Sequence, residues 1–319
     1  MPLPLIPLLL GGAGLFGAGK LAGAYVDNDN AKKINLEARE LTSEAENLME
    51  DAQKHTQRAL EALGKKKTYV LSTSVKNFVD LFSQIHNVDF NAPSSVDEAG
   101  KFQLDQSSFD GLRELSSVSM ALTNASANAL AAFGAYGAAS MLGLPSAGAA
   151  ITALTGLTAN STLAFLTGGS LAASVSSVLG GLVTAPALAV LGFYLESSAS
   201  RNLEDAKSNK AQALRFFKEV EAGVSLCNGI RKMSYLYVRM LMRLEVMLNN
   251  ANNAMRQVIS THGTDYKEFT PDEKKTVGAA ASLAKAVKTI LDTPILTEDG
   301  KLTPESLTAA DTVRAALPA

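Results

Sequence analysis

Apolar residues recur at helical spacing through most of this chain. From Ala31, the positions Ile34, Ala38, Leu41, Ala45, Leu48, Ala52, Ala59 and Leu63 form a stripe at intervals of three, four and seven, with charges on the other faces. Asp27 to Asn30 supplies candidate N-caps. Gly64 followed by Lys65, Lys66 and Lys67 reads as a break or C-cap. Helical patterning resumes over Thr68 to Ile85, and an unbroken 31–86 would be a rod of about 80 Å. Asn87 to Lys101 carries Pro93 and Gly100 and reads as a loop. The longest helical signal runs from Ser198 to Ser260, striped by Leu203, Ala206, Ala213, Phe217, Val220, Val224, Cys227, Ile230, Leu236, Leu241, Leu244, Leu248 and Met255. In the tail, Thr270-Pro271-Asp272-Glu273 is a capping box with proline at the first helical position. Asp299-Gly300 marks a tight turn, and Thr303-Pro304-Glu305 starts a last short helix. The pattern predicts an all-α protein.

Between these helices lies the feature that dominates the chain. Leu115 to Leu195, 81 residues, contains no Asp, Glu, Lys, Arg or His. A charge-free run of this length is a candidate for lipid. Gly143-Leu144-Pro145, Gly168-Gly169 and Pro186 divide it near 115–142, 146–166 and 170–195. Its Ala, Gly, Ser and Thr content makes it less lipid-compatible than a Leu-rich span, Ser170 to Leu195 being the most compatible part. Five small residues, Gly168, Ala172, Ser176, Gly180 and Thr184, lie four apart, and Gly169, Ala173, Ser177, Gly181 and Ala185 form a second such column. On a helix the two columns make one continuous small face, which lets helix backbones approach closely. These ten are the candidate packing and membrane residues.

The chain therefore divides into an apolar Gly-rich segment (1–26), an amphipathic helical region (27–114), a charge-free hydrophobic hairpin (115–195), a long amphipathic helix (196–262) and a helical tail with a short turn (263–319). The expected architecture is a long-helix bundle or rod bearing a Gly/Ala-rich hydrophobic helical hairpin. The N-terminal segment is apolar but lacks a basic leader, and Pro2, Pro4 and Pro7 interrupt it, so a cleaved signal peptide is not expected.

Composition narrows the function classes. Net charge is −2, which suggests no whole-molecule attraction to nucleic acid. Zero Trp and 6% aromatic content leave little for base stacking. The single Cys227 excludes an internal disulfide, and it sits on the apolar stripe, where buried packing outweighs reactivity. Gly12-x-Gly14-x-x-Gly17 has dinucleotide-fingerprint spacing, but Pro4 and Pro7 spoil the strand it needs. Gly14 to Lys20 is one residue short of a P-loop, with Leu21 in place of the Mg²⁺ ligand. His55, His86 and His262 are too scattered for a metal site. No catalytic, cofactor or metal residues are assigned. Met233, Met240, Met242, Met247 and Met255 cluster with Tyr235 and Tyr237, as core packing or as an adaptable surface. The three lysines at 65–67 could meet anionic lipid or form a solvated turn.

Several stretches resemble one bacterial family: ALAAFGAYG (129–137), ANSTLAFLTGGSLAA (159–173), GGLVTAPALAVLGF (180–193), LCNGIRK (226–232), GTDY (263–266) and ILDTPILTEDGKLTPES (290–306). Its members are largely uncharacterised, and some carry an automatic chemotaxis label. The family pattern is richer in glycine where this chain has Ser174, Val175, Ser176, Ser177 and Val178. The resemblance brings no catalytic residues. In architecture the chain is also similar to α-helical pore-forming toxins of the cytolysin A and haemolysin BL type, an analogy rather than a shared site.

The leading expectation is a non-enzymatic, self-associating protein that inserts into or perturbs a membrane, as a toxin or defence effector. Its partners would be itself and lipid, with no nucleic acid and no cofactor, in the bacterial cytoplasm or at a membrane. The alternative is a soluble helical scaffold whose charge-free segment is a buried bundle core. A nucleotide-dependent enzyme built on the N-terminal glycines is a third reading. A reversal at Gly64 is expected to bring the N-terminal segment beside the central block.

Overall fold

A computed structural model describes residues 23–88, 104–138, 203–297 and 300–316. Among these residues the fold is all-α, with no strand and only two isolated bridges, His86 with Asp265 and Leu296 with Leu302. The helices are α1 (Gly23–Val70), α2 (Lys76–Phe82), α3 (Gln106–Leu122), α4 (Ala127–Tyr136), α5 (Leu203–His262), α6 (Pro271–Asp292) and α7 (Pro304–Ala316). A π-helical turn, Leu71–Val75, joins α1 to α2 with helical dihedrals on both sides. The chain is thus helical from Gly23 to Phe82, about 90 Å at 1.5 Å per residue, the same length as the 60-residue α5.

These two long helices run parallel. Their cross-contacts ascend together: Asn209 donates to Asn35 (3.0 Å), Lys210 pairs with Glu37 (2.6 Å), Thr56 donates to the Cys227 carbonyl (3.2 Å), Lys66 pairs with Glu245, and Arg256 donates to Asn77 (2.8 Å). Among the buried positions of α5, Ala206, Asn209, Ala213, Phe216, Val220, Gly223, Cys227, Ile230, Ser234, Tyr237, Leu241, Leu244 and Leu248 form a row that alternates by three and four. That 3.5-residue repeat is the pattern of a left-handed supercoiled seam. Ala31, Ala38 and Ala45 continue the seam on α1, so small residues meet small residues at this end. A Cβ on Gly223 would stand 2.3 Å from Met49 Cε, so the glycine makes room for that methionine. Buried Asn252 donates to the Ser74 carbonyl inside the π turn (3.0 Å), where the regular helical ladder is interrupted.

The other helices pack on the half of this pair that follows Thr56. Phe109 of α3 lies against Phe78 and Phe82, with ring centroids 6.3 and 5.0 Å away. Asn128, in the first turn of α4, meets Gln57 (3.2 Å). The capping box at Thr270 starts α6: the Thr270 N–H donates to Glu273 Oε2 (2.8 Å), and the Glu273 N–H donates back to Thr270 Oγ1 (3.4 Å). Tyr237 donates to the Ser306 carbonyl (2.8 Å) and ties α7 to α5.

Three expectations are corrected. Gly64 does not end α1, so the rod does not reverse there; the absent side chain admits α4 instead. Asp27 to Asn30 lie inside α1, which has already begun at Gly23, so the helix does not start at them. The three lysines are not a solvated turn: Lys65 is exposed and paired with Glu61 (2.6 Å), Lys66 is paired with Glu245, and Lys67 is wholly buried. The charge-free run, which begins at Leu115, starts inside α3.

Candidate functional site

The site begins with two glycines. α4, ANALAAFGAY, is started by Ser126, whose hydroxyl accepts from the Ala129 N–H (3.2 Å), and every residue from Ala129 to Tyr136 is buried. A helix buried on all sides needs a neighbour that approaches closely. Here a Cβ on Gly64 would lie 1.9 Å from the Leu130 carbonyl oxygen, and one on Gly134 would lie 2.2 Å from the Leu60 carbonyl oxygen. The backbones of α1 and α4 are therefore in direct contact, the small-residue mode of helix packing. Gly137 closes α4 at φ 75°, a left-handed conformation that glycine adopts without strain. A Cβ there would also meet the Leu291 and Asp292 carbonyls at 2.7 and 2.8 Å. The C-terminal ends of α4 and α6 thus abut.

Lys67 fills the junction of these three helices. Its Nζ donates to the Gly134 carbonyl (3.4 Å) and the Leu291 carbonyl (3.3 Å), and lies 5.7 Å from the Phe133 ring centroid. Both carbonyls belong to last helical turns, where backbone oxygens lack intrahelical donors and carry the negative end of the helix dipole. One ammonium serves two helix C-termini. The neighbouring Ala135 carbonyl accepts from the Ile295 and Leu296 N–H groups (2.7 and 3.2 Å). Burial pushes the Lys67 amine down to about 7, while the Asp292 carboxylate pulls it up. Burial raises Asp292 in turn, against the lowering effects of Lys288, its salt-bridge partner, and Lys67. Asp292 Oδ1 is buried and has no hydrogen-bond partner among the described residues.

An amine titrating near neutrality could serve as a base or a nucleophile. Lys67 has no exposed surface in this arrangement, so its amine meets carbonyls and a ring rather than a substrate. The chemistry the site supports is helix fastening.

The stretches that carry the family resemblance and fall among the described residues are joints of this bundle. ALAAFGAYG is α4 and its cap. ILDTPILTEDGKLTPES runs from the end of α6, through the Leu296–Leu302 bridge, into α7. Within LCNGIRK, a Cβ on Gly229 would touch Leu302 (3.4 Å). In GTDY, Thr264 and Tyr266 exchange backbone hydrogen bonds with His86 (2.8 and 3.0 Å).

Gly168, Gly169, Ala172, Ala173, Ser176, Ser177, Gly180, Gly181, Thr184 and Ala185 all lie outside the described residues, as do the N-terminal glycine motifs. Cys227 is buried on the α5 seam, and burial pushes its thiol upward. The methionine cluster divides: Met233, Met240 and Met255 are buried with Tyr237, whereas Met242 and Tyr235 are exposed. Among the described residues no group of three or more His, Cys, Asp or Glu could hold a metal. Sequence reasoning missed Gly64, Lys67, Gly134, Gly137 and Asp292. The available signal was a glycine and a lysine on the apolar face of a helix, close to a second small-residue helix. No family model, no curated protein and no solved structure matches the chain.

Proposed function

We propose that this chain is a non-enzymatic, self-associating helical protein that inserts into or perturbs a membrane, with the bundle as the holder of its charge-free block. The observation that carries the reading is the 81-residue run without a charge, Leu115 to Leu195. Its small-residue columns supply the close contact by which such helices associate in lipid. The described start of the run is held in the bundle through Gly64, Gly134 and Lys67. Among the described residues no helix is long and apolar enough to cross a membrane, so any membrane-crossing part of the charge-free run would lie in 139–195. Gentle fractionation and dye release from liposomes test the proposal. A protein that stays monomeric, ignores vesicles and releases no dye would rule it out.

One observation favours a second reading, a soluble scaffold. Residues 129–136 of the run are buried within the bundle, as a core segment would be. Detergent-free solubility of the full chain, with protease protection extending through 139–195, would favour that reading.

A further inference from the structure

We infer that the outward face of α5 between Lys232 and Val246 docks on an anionic bilayer surface; this rests on the membrane reading above and names the lipid it would meet. Lys232, Tyr235, Arg239, Met242 and Val246 are spaced by three and four residues and all are exposed, on the side of α5 opposite the Ser234–Tyr237–Leu241–Leu244 seam. Tyr235, Met242 and Val246 expose 47%, 52% and 60% of their surface, and what sets them apart from single exposed apolar residues is that they share one helix face. On the neighbouring α1, Tyr69 is 52% exposed, and Lys66 reaches both its ring and the carboxylate of Glu245, the residue before Val246.

Charge identifies the occupant. From Ala222 to His262 the chain carries Arg231, Lys232, Arg239, Arg243 and Arg256 against Glu245 alone, and Glu245 is already paired with Lys66. The opposite end of the bundle is acidic: Asp27 to Asp51 holds eight carboxylates and three basic residues. The molecule therefore presents one basic, partly apolar face although its net charge is −2. Among the described residues Lys232 and Arg239 have neither a hydrogen bond nor an ion pair. The charge-free block is a poor cover for this face, since it has no carboxylate to meet them and would leave two cations unpaired. A nucleic acid would match the cations but gain nothing from Met242 and Val246. An anionic bilayer matches both, phosphates and carboxylates for Lys232 and Arg239 and the headgroup–acyl boundary for Tyr235, Met242 and Val246.

The chain has no Trp, so Met242→Trp makes a single fluorescent reporter at the centre of the face. The full-length protein is sedimented with vesicles of phosphatidylcholine alone and of phosphatidylcholine with one-third phosphatidylserine. Binding is expected only to the anionic vesicles, weakening with salt. The Met242→Trp emission should shift to the blue and be quenched by brominated acyl chains. Lys232→Glu with Arg239→Glu, both on the surface and checked for unchanged helicity, should require at least about tenfold more lipid. Equal binding by parent and double variant, equal binding to both vesicles, or a water-like emission from the bound reporter would overturn the inference. Dye release serves as the separate arm. If the parent and the double variant release dye equally, the membrane reading stands and this face is not the docking surface. If the parent neither binds nor releases dye, both fall.

Discussion

Lys67 should make the stability of this protein rise with pH in a range where most proteins are flat. A free lysine titrates near 10.5, and Lys67 is pushed down to about 7 in the folded chain. That difference corresponds to roughly 5 kcal/mol against keeping the folded-state lysine protonated. The pull of the Asp292 carboxylate is already part of that difference; the two helix C-termini offset more of the cost, so the figure is an upper bound. Below pH 7 the lysine is protonated in both states and the whole cost applies. Between 7 and 10.5 the unfolded chain binds more protons than the folded one, so unfolding becomes harder as pH rises. From pH 7.5 to 9.5 the gain from this group alone is about 2.5 kcal/mol. The carboxylate acting on Lys67 is Asp292, itself paired with Lys288 on α6. Asp292 is raised, so its own contribution is present at low pH and fades as pH climbs through its folded value, opposite in sign to the Lys67 effect. Urea unfolding of the parent and of Lys67→Met, at half-unit steps from pH 6 to 10, isolates the effect. Tyrosine and cysteine titration is common to both and cancels in the difference. The parent curve should climb relative to the variant. Parallel curves would refute the reasoning, because Lys67 would then keep the same proton affinity folded and unfolded.

Other expected outcomes follow from single contacts. Gly64→Ala should destabilise by about 1–3 kcal/mol or more, since its methyl meets the backbone of α4, whereas Gly278→Ala, with open space beside it in α6, should stabilise by about 0.5–1 kcal/mol; denaturant midpoints check both. Tyr237→Phe removes the hydrogen bond to the Ser306 carbonyl and should cost about 1 kcal/mol, with faster amide exchange in α7. Gly180→Leu and Gly181→Leu add hydrophobicity but would crowd the small face, so each should reduce crosslinked oligomer and dye release more than Leu179→Ala does; unchanged assembly would remove the close-contact role of those columns.

The long helices were legible because their evidence is redundant. Ala31, Ala38 and Ala45 on one side, and Ala213, Val220, Cys227, Leu241 and Leu248 on the other, repeat the same message over many turns. The capping box at Thr270 was equally readable, because it is local. Lys67 and Gly64 were not readable, for a physical reason. A lysine after a glycine is ordinarily solvated, and only α4 and α6, arriving from residues 67 and 224 positions away, turn that place into an interior. Parallel pairing of α1 and α5 was likewise hidden, since a heptad stripe does not state the direction of its partner. The exposed half of the methionine cluster needed the seam to be fixed before inside and outside could be told apart.

Parallel pairing leads to the last prediction. Because α1 and α5 start at the same end, the chain must travel back between them. Phe109 of α3 lies at the level of Phe78 and Phe82, Asn128 at Gln57, and Gly134 at Lys67. The start of α5 lies near Asn35, about 50 Å from Lys67 along α1. Ala138 and the start of α5 at Leu203, the described residues that flank the rest of the charge-free run, are therefore held far apart on the same bundle. A membrane hairpin formed from that run would be easier to release if α4 came away with it, freeing its buried residues at the same time. Leaving the bundle would separate Gly64 from Gly134 and strip the Gly134 carbonyl from Lys67. Cysteines at the touching pair, Gln57→Cys and Asn128→Cys, joined by a short bismaleimide, would hold α4 in place. Cys227 is buried and should not compete for the reagent. The joined protein should release markedly less dye than the same variant left unjoined, while binding vesicles equally well. Full release from the joined protein would show that α4 stays in the bundle and that residues beyond Ala138 act without it.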